Sequence, residues 1–551
     1  MTIASSLAGA AWVSANAIGY WRYRTALDDP ARAQSEILAG YLKRNAETAF
    51  GRLHGFASLH SVDEYRRSVP LASYADFVHS IEAIARGEEG VLTRSPVRTL
   101  GLSSGSVAAA KKIPFTAELQ REFRCAIAPW VVDLSRSHPA IVGGCAYWSI
   151  TPFAAEPEVD AGAVRVGFDE DSEYLGAAWR RLANATLAVP GAVRLVRDIE
   201  AFRYLTLLFL LRRPDLTLVS VWHPSFLTLL LRALPTHWRS LVEDVRKGTL
   251  TAPGNLPEAL GDRLRSRLRP LPRRATQLSG IGPRDCVRIW PRLRLVSCWA
   301  DGHARLAIDE LKALLPGVTI QPKGLLATEA VVTLPFRGLT PVAVRSHFFE
   351  FLQGDCAYLA HELARGEAYS VVVTTGGGLY RYRLEDRVEV NGFVGRTPSL
   401  KFLGKEDHVS DLCGEKLNES FVAATLDHAF RSLDIVPGFA LLAPDLSATP
   451  PGYTLYVELD QHAARGLGDR LERLLVANPH YQYSRKLGQL SAVRIFLGSE
   501  PMFPEYLRRC CDAGQRAGDV KPLSLSPRAG WSDAFAGQYE EGTGVPALPR
   551  D

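Results

Sequence analysis

The stretch Thr374–Glu419, TTGGGLYRYRLEDRVEVNGFVGRTPSLKFLGKEDHVSDLCGEKLNE, decides how the rest of the chain is read. Three glycines open it, aromatic and basic residues then alternate, and a charged segment closes it around Gly414. YRYRLEDRVEV has the period-two alternation of strands in a hairpin. That pattern puts Tyr380 and Tyr382 on one face and Arg381 and Arg383 on the other. Asp386 then falls near the turn, where a carboxylate can point out of the sheet toward a ligand. Lys405 to Ser410 reads as a polar joint, and GEKLNESFVAATLDHAF as a turn entering an amphipathic helix.

Working outward, 551 residues suffice for a large domain and a smaller one, each with its own core. The net charge of +5 comes from 64 basic against 59 acidic residues, with no lysine–arginine block. A nucleic-acid partner is therefore not expected, although a dilute positive field favours anionic ligands. The eight cysteines contain no Cys-x-x-Cys pair, which reads as reduced thiols in a cytoplasmic protein. The apolar N-terminal run precedes its basic residues, unlike a signal peptide, and reads as a packing helix. LTLLFLLRRP, beginning at Leu205, is too short to span a bilayer, so no membrane association is expected.

Residues 1 to about 90 read as helices, including one started by Pro70 and stopped by Gly87. SSGSVAAAKKIPFT (Ser103–Thr116) reads as a strand and a loop of small residues. TLVSVWHPSFLTLLLRAL is a buried strand running into a helix through His223, Pro224 and Ser225. LRSRLRPLPRRATQ (264–277) reads as a surface loop. Arg292–Phe336 gives a buried strand, a turn at Trp299–Gly302, an amphipathic helix, and two strands around a tight turn at Gly324. Beyond about residue 408 the pattern is that of a small α/β domain, and the residues after Trp531 read as loosely attached.

Taken together, GLYRYR-x-x-D (Gly378–Asp386), Phe-x-Gly-Arg (Phe393–Arg396) and Ser-x-x-x-Gly-Glu-Lys (Ser410–Lys416) resemble the Gretchen Hagen acyl-acid amido synthetases. These belong to the adenylate-forming superfamily, and the chain resembles a bacterial-type member. Weaker steps agree in order: Thr-x-Phe-Gly-Arg (Thr48–Arg52), Val-Pro-x-x-x-Tyr (Val69–Tyr74) and Leu…Asn-x-x-Tyr-x-x-x-Arg (Leu474–Arg485). The resemblance runs from about residue 40 to about 525. It implies an α/β, two-domain adenylate-forming architecture: a large N-terminal domain over 1–404, of sheets flanked by helices, and a small C-terminal α/β domain over 405–551. A hinge near 405–408 would join them. It also implies a monomer.

The same resemblance assigns the site. Ser103, Ser104, Gly105 and Ser106 match the loop that holds the β- and γ-phosphates of ATP, and Lys112 matches its lysine. Thr328 and Glu329 match a Gly-x-x-Ala-(Ser/Thr)-Glu step whose glutamate coordinates Mg²⁺. Glu329 lies 57 residues before Asp386, in the family's order. Asp386 matches the carboxylate that accepts the ribose hydroxyls, and Tyr382 stands beside it in the nucleotide site. Lys405 stands where the superfamily generally has arginine. Lys521, in GQRAGDVKP, matches a lysine that steadies the α-phosphate. The chain departs from the family at Val107 and Ala108–Ala110 in the loop, at Ala330, and at Glu385, where glycine is usual.

The implied activity uses ATP and Mg²⁺ to adenylate a small carboxylic acid, then transfers the acyl group to an amino acid or another amine. Such a site works by positioning and electrostatics, and needs no covalent nucleophile. Two other readings stay open at this point: an acyl-CoA ligase-like enzyme, and a nucleotide-binding protein that has lost catalysis.

Overall fold

The computed structural model describes residues 3–103, 111–148, 164–166, 186–196, 198–222, 224–300, 304–405, 409–410, 412, 415, 417–460, 464–486, 489–513, 515, 517 and 520–540. Two compact units divide the chain. The first comprises Met1–Ala300, Glu310–Leu384 and Val388–Phe402; the second comprises Asp301–Asp309, Glu385–Arg387 and Leu403–Asp551.

In the first unit, a four-stranded parallel sheet has the order Cys145–Trp148, Leu216–Ser220, Leu295–Cys298, Thr319–Pro322. Its second and third strands are buried throughout, as parallel strands covered on both faces must be. A five-stranded sheet runs Thr397–Lys405, Tyr382–Val394, Ala368–Thr374, Phe348–Gln353, Cys356–Tyr358. A third sheet contains the antiparallel pair Val97–Ser103 and Lys111–Thr116. The N-terminal helix Ile3–Ala26 docks through Tyr20 and Tyr23, whose rings meet Phe336, while the Tyr23 hydroxyl donates to Val342 O at 2.8 Å.

Three sequence expectations for this unit are corrected. The helix expected from Pro70 begins at Tyr74, because Ser73 and Asp76 form a capping box there. The 264–277 stretch is not one surface loop: helices Glu258–Arg265 and Pro272–Ser279 occupy most of it. Arg274 is buried within it and donates to Leu211 O and Ile289 O at 2.8 and 2.7 Å. Burial holds its guanidinium pKa down to about 10. Finally, Tyr380 and Tyr382 do not alternate with Arg381. The strand starts at Tyr382, and Arg381 sits before it at φ +45°, so Tyr380, Arg381 and Tyr382 are all buried. Strict alternation holds only from Tyr382 to Val394, which places Asp386 within a long strand and away from its turn at Gly395.

The second unit is built on a sheet of order Ala440–Asp445, Gly452–Val457, Arg494–Gly498, Gly537–Tyr539. Leu426, Leu455, Leu471 and Ile495 are among the residues of one core cluster. The other contains Phe439, Tyr456, Tyr506, Trp531 and Phe535. The segment after Trp531 is therefore not loose up to residue 540. Trp531 stacks on Phe535 at 5.3 Å, and Gly537–Tyr539 pairs with the sheet; two buried aromatic rings outweigh the ordering cost of a short tail. Among the described residues no helix is long and apolar enough to cross a membrane.

Candidate active site

Of the phosphate-binding candidates, Ser103 and Lys112 lie on two paired strands. Val97–Ser103 and Lys111–Thr116 pair antiparallel, with Ser103 opposite Lys111 and Leu102 opposite Lys112. Ser104, Gly105 and Ser106 lie outside the described residues, as do Val107 to Ala110. The Lys112 amide donates to the Tyr74 hydroxyl at 2.8 Å. Burial raises the Tyr74 pKa; the hydrogen bond and charge of Lys112 oppose the rise, and the charges of Glu82 and, least, Glu329 add to it. Tyr74 thus ties the strand carrying Lys112 to the helix that Tyr74 begins. It is the tyrosine of the Val-Pro-x-x-x-Tyr step, a residue with no role in the motif reading.

Glu329 owes its position to a tight hairpin. At its base Gly324 has φ +81°, and a Cβ there would come within 2.7 Å of Thr333 O, so only glycine fits this position. Leu325 N–H donates to Thr333 Oγ1 at 2.7 Å, Leu326 bridges Val331, and Ala327 N–H donates to Ala330 O at 2.9 Å. Thr328 and Glu329 are left as the two tip residues, with Glu329 only 7% exposed. The second expected strand is a run of isolated bridges, Thr333–Val342 and Phe336–Leu339, instead of a continuous ladder.

The YRYR segment is anchored by residues the sequence could not connect. Tyr380 stacks on Phe50 at 4.6 Å and donates to Leu92 O at 2.7 Å. Arg381 grips Glu350 through Nε and Nη2 at 3.0 and 3.2 Å, while Nη1 donates to Arg66 O and Val69 O. Arg66 shares Glu350 through Nε at 2.9 Å. The Arg381 amide donates to Thr374 Oγ1, which also meets the Tyr65 hydroxyl. With its ends fixed, the backbone pairs Tyr382 with Ala72 and turns the Tyr382, Leu384 and Asp386 side chains inward. Tyr382 and Asp386 are 1% and 3% exposed.

Glu385 has φ +60°, a region costly to any residue with a Cβ. Relief of that strain exceeds the extra chain entropy of glycine, so Glu385→Gly is expected to stabilise the protein by about 1 kcal/mol. A rise in the urea midpoint at constant slope would show it; a fall would mean that the interactions of the Glu385 side chain outweigh the backbone strain.

In the second unit, Lys405 ends the strand Thr397–Lys405; its side chain and residues 406–408 lie outside the described residues. Lys521 is exposed, and its segment is tied down on both sides. The Tyr506 hydroxyl donates to Lys521 O at 3.1 Å, and the Glu419 carboxylate accepts the Ser524 and Leu525 amides at 2.7 Å each. Glu415, of the Gly-Glu-Lys run, is fully buried and accepts the Leu412 amide and the Tyr453 hydroxyl, a structural role.

The carboxyl ends of the parallel strands supply a feature the sequence reading passed over. Lys323 follows the last strand and donates to Ser220 Oγ at 2.6 Å and Val221 O at 3.1 Å, with its Nζ 5.1 Å from the centroid of Trp222. Trp299 leads off the neighbouring strand and meets Phe402 edge-on at 5.2 Å. This edge is where open α/β sheets take their ligands. Its only sequence signal was a lysine at a strand end. His223 lies outside the described residues.

Comparison with known proteins gives the family and the fold. Models of the GH3 family match along the chain: the N-terminal domain over residues 22–320, the central domain over 340–405 and the C-terminal domain over 419–528. A probable indole-3-acetic acid-amido synthetase of Oryza sativa subsp. japonica is 25% identical over 92% of this chain and 93% of its own. A jasmonoyl-L-amino acid synthetase of Nicotiana attenuata is 23% identical over 91% and 92%. The solved structure of an acyl acid amido synthetase in complex with 2,4-DB shares the fold, with a TM-score of 0.83 at 19% identity over 96% of this chain and 98% of its own. Both sequence relatives are plant proteins, and the bacterial type expected from the sequence is not borne out. With family models covering most of its length, this chain belongs to the GH3 family, the Gretchen Hagen acyl-acid amido synthetases.

Proposed function

We propose that the chain is an acyl acid amido synthetase that adenylates a small carboxylic acid with ATP and passes the acyl group to an amino acid or another amine. The observation that carries this reading is the buried Glu329 at the tip of its hairpin, in a chain of this family. In the first step a carboxylate oxygen of the acid attacks the α-phosphorus of ATP, the bond to the bridging oxygen breaks, and pyrophosphate leaves. In the second the amine attacks the acyl carbonyl, AMP leaves with the bonding pair, and the ammonium proton passes to solvent.

Lys112 and the Ser103–Ser106 loop would take the β- and γ-phosphates, and Asp386 would accept both ribose hydroxyls, with Tyr382 on the same strand face. Glu329, beside Thr328, would hold Mg²⁺, which when bound offsets charge on the phosphates. Among the described residues no cluster of three His, Cys, Asp or Glu could hold a metal alone. A single carboxylate nevertheless fits, because Mg²⁺ commonly binds through one or two carboxylates together with substrate phosphates. Lys405 and Lys521 would join the second unit to the chemistry, Lys521 at the α-phosphate, through a hinge near 405–408 between domains 1–404 and 405–551. Trp222, Trp299 and Lys323 favour an acid with an aromatic or hydrophobic body.

We also place the protein in the cytoplasm: the seven described cysteines are free, and burial pushes the Cys145 and Cys298 thiols up to about 12. Such inert thiols suit a reducing compartment.

The test is ATP–pyrophosphate exchange over a panel of aromatic and aliphatic acids, followed by mass spectrometry of the products with amino acids. Acid-dependent exchange and an amide product are expected. A thioester formed only with CoA would favour the ligase reading, and ATP binding without exchange a non-catalytic nucleotide binder.

A further inference from the structure

A buried polar chain links the Glu329 hairpin to the glycines ahead of Tyr380. His347, whose side chain is 0% exposed, places Nδ1 3.0 Å from Glu122 Oε2 and accepts the Val331 amide on Nε2 at 3.2 Å. Because Val331 needs an acceptor, the imidazole proton sits on Nδ1 and is donated to Glu122. The same Glu122 oxygen accepts the Gly376 amide at 2.9 Å, and its other oxygen accepts the Tyr41 hydroxyl at 2.8 Å. Any Cβ on residue 376 would fall 2.4 Å from Glu122 Oε1, so the loop backbone lies directly against this carboxylate. Thr116, which caps the helix carrying Glu122, donates to Gly376 O at 2.8 Å. Phe123 and Phe349 close the sides of the imidazole edge-on, each at 5.9 Å. Val331 is two residues past Glu329, and Gly376 is five before Arg381.

We infer that Glu122 and His347 are a positioning pair that holds the Glu329 hairpin and the glycine loop in one frame, and thereby sets how strongly a divalent cation tightens binding of a nucleoside triphosphate. The inference rests on the function proposed above. A merely structural pair would lower stability and leave the cation's effect alone; a positioning pair alters that effect in protein that is still folded. Outer partners of metal ligands typically act on this scale, about tenfold to a hundredfold in affinity.

The experiment is calorimetric titration of ATP, in Mg²⁺ and in EDTA, with the full chain and the variants His347→Leu, His347→Gln, Glu122→Gln and Val245→Ala. The readout is the ratio of the two Kd values. His347→Leu is expected to shrink the ratio about tenfold while the Kd in EDTA stays within about twofold. His347→Gln, whose amide can both accept from Val331 and donate to Glu122, should restore part of it. Glu122→Gln should follow His347→Leu. Val245→Ala, in a helix remote from these residues, should lose stability and keep the ratio. If His347→Leu does not fold, His347→Gln and Glu122→Gln decide. Unchanged ratios in folded variants would overturn the inference alone, whereas no ATP binding by the unmodified chain would overturn it together with the proposed function.

Discussion

Glu329→Gln is expected to lower acid-dependent ATP–pyrophosphate exchange by about 10²- to 10³-fold, the range seen when one charge-stabilising group is lost from a preorganised site. The substitution keeps the shape of the side chain and removes its charge. The hairpin itself should survive, because the Leu325 amide bonds Thr333 Oγ1 and the Ala327 amide bonds Ala330 O whatever the charge at position 329. Thermal unfolding should therefore match the unmodified chain, and the loss should fall on kcat more than on the KM for the acid. Asp386→Asn, which keeps one acceptor for the ribose hydroxyls, should instead act mainly through the KM for ATP. Exchange within twofold of the unmodified rate in Glu329→Gln would remove Glu329 from the site and with it the nucleotide geometry proposed here.

What the sequence disclosed about this site, and what it withheld, follows from the range of the interactions. Glu329 and Lys112 sit in short motifs whose local backbone, a tight hairpin with its tip at Thr328 and Glu329 and a strand entering at Lys111, is written in adjacent residues. The Lys112 amide meets the Tyr74 hydroxyl across 38 positions, a contact no local pattern reveals. The alternation of the YRYR segment misled because φ at Arg381 is set by Glu350, 31 residues away, and by carbonyls more than 300 residues away. His347 and Glu122 are separated by 225 residues and look, in sequence, like an ordinary strand residue and an ordinary helix residue. The tail was misread for a similar reason: Trp531 and Phe535 find their partners on Phe439, Tyr456 and Tyr506, which only the folded sheet assembles. The α/β architecture was legible because apolar strands such as LTLVS and LRLVSC announce their burial by composition alone.

The largest stability effect is expected from Arg381→Ala, at about 3–5 kcal/mol, the cost of stranding the partner of a buried ion pair. The Arg381 and Glu350 side chains are 8% and 1% exposed, so solvent cannot replace the lost guanidinium. Arg66 remains beside Glu350, but it contacts one oxygen and is itself partly exposed, which leaves the second oxygen unpaired. The carbonyls of Arg66 and Val69 lose their donors as well. Arg381→Lys should recover little, since an ammonium group cannot span both carboxylate oxygens and two carbonyls as the planar fork does. The double variant Arg381→Met/Glu350→Leu should be markedly less destabilised than the sum of its single changes, because most of the cost is an uncompensated charge and disappears with it. Urea unfolding monitored for the first unit measures all three. A loss below about 1 kcal/mol for Arg381→Ala would place the pair among weak surface contacts. It would also leave the positive φ at Arg381 without its physical cause, since that backbone geometry persists only where the surrounding contacts over-determine it.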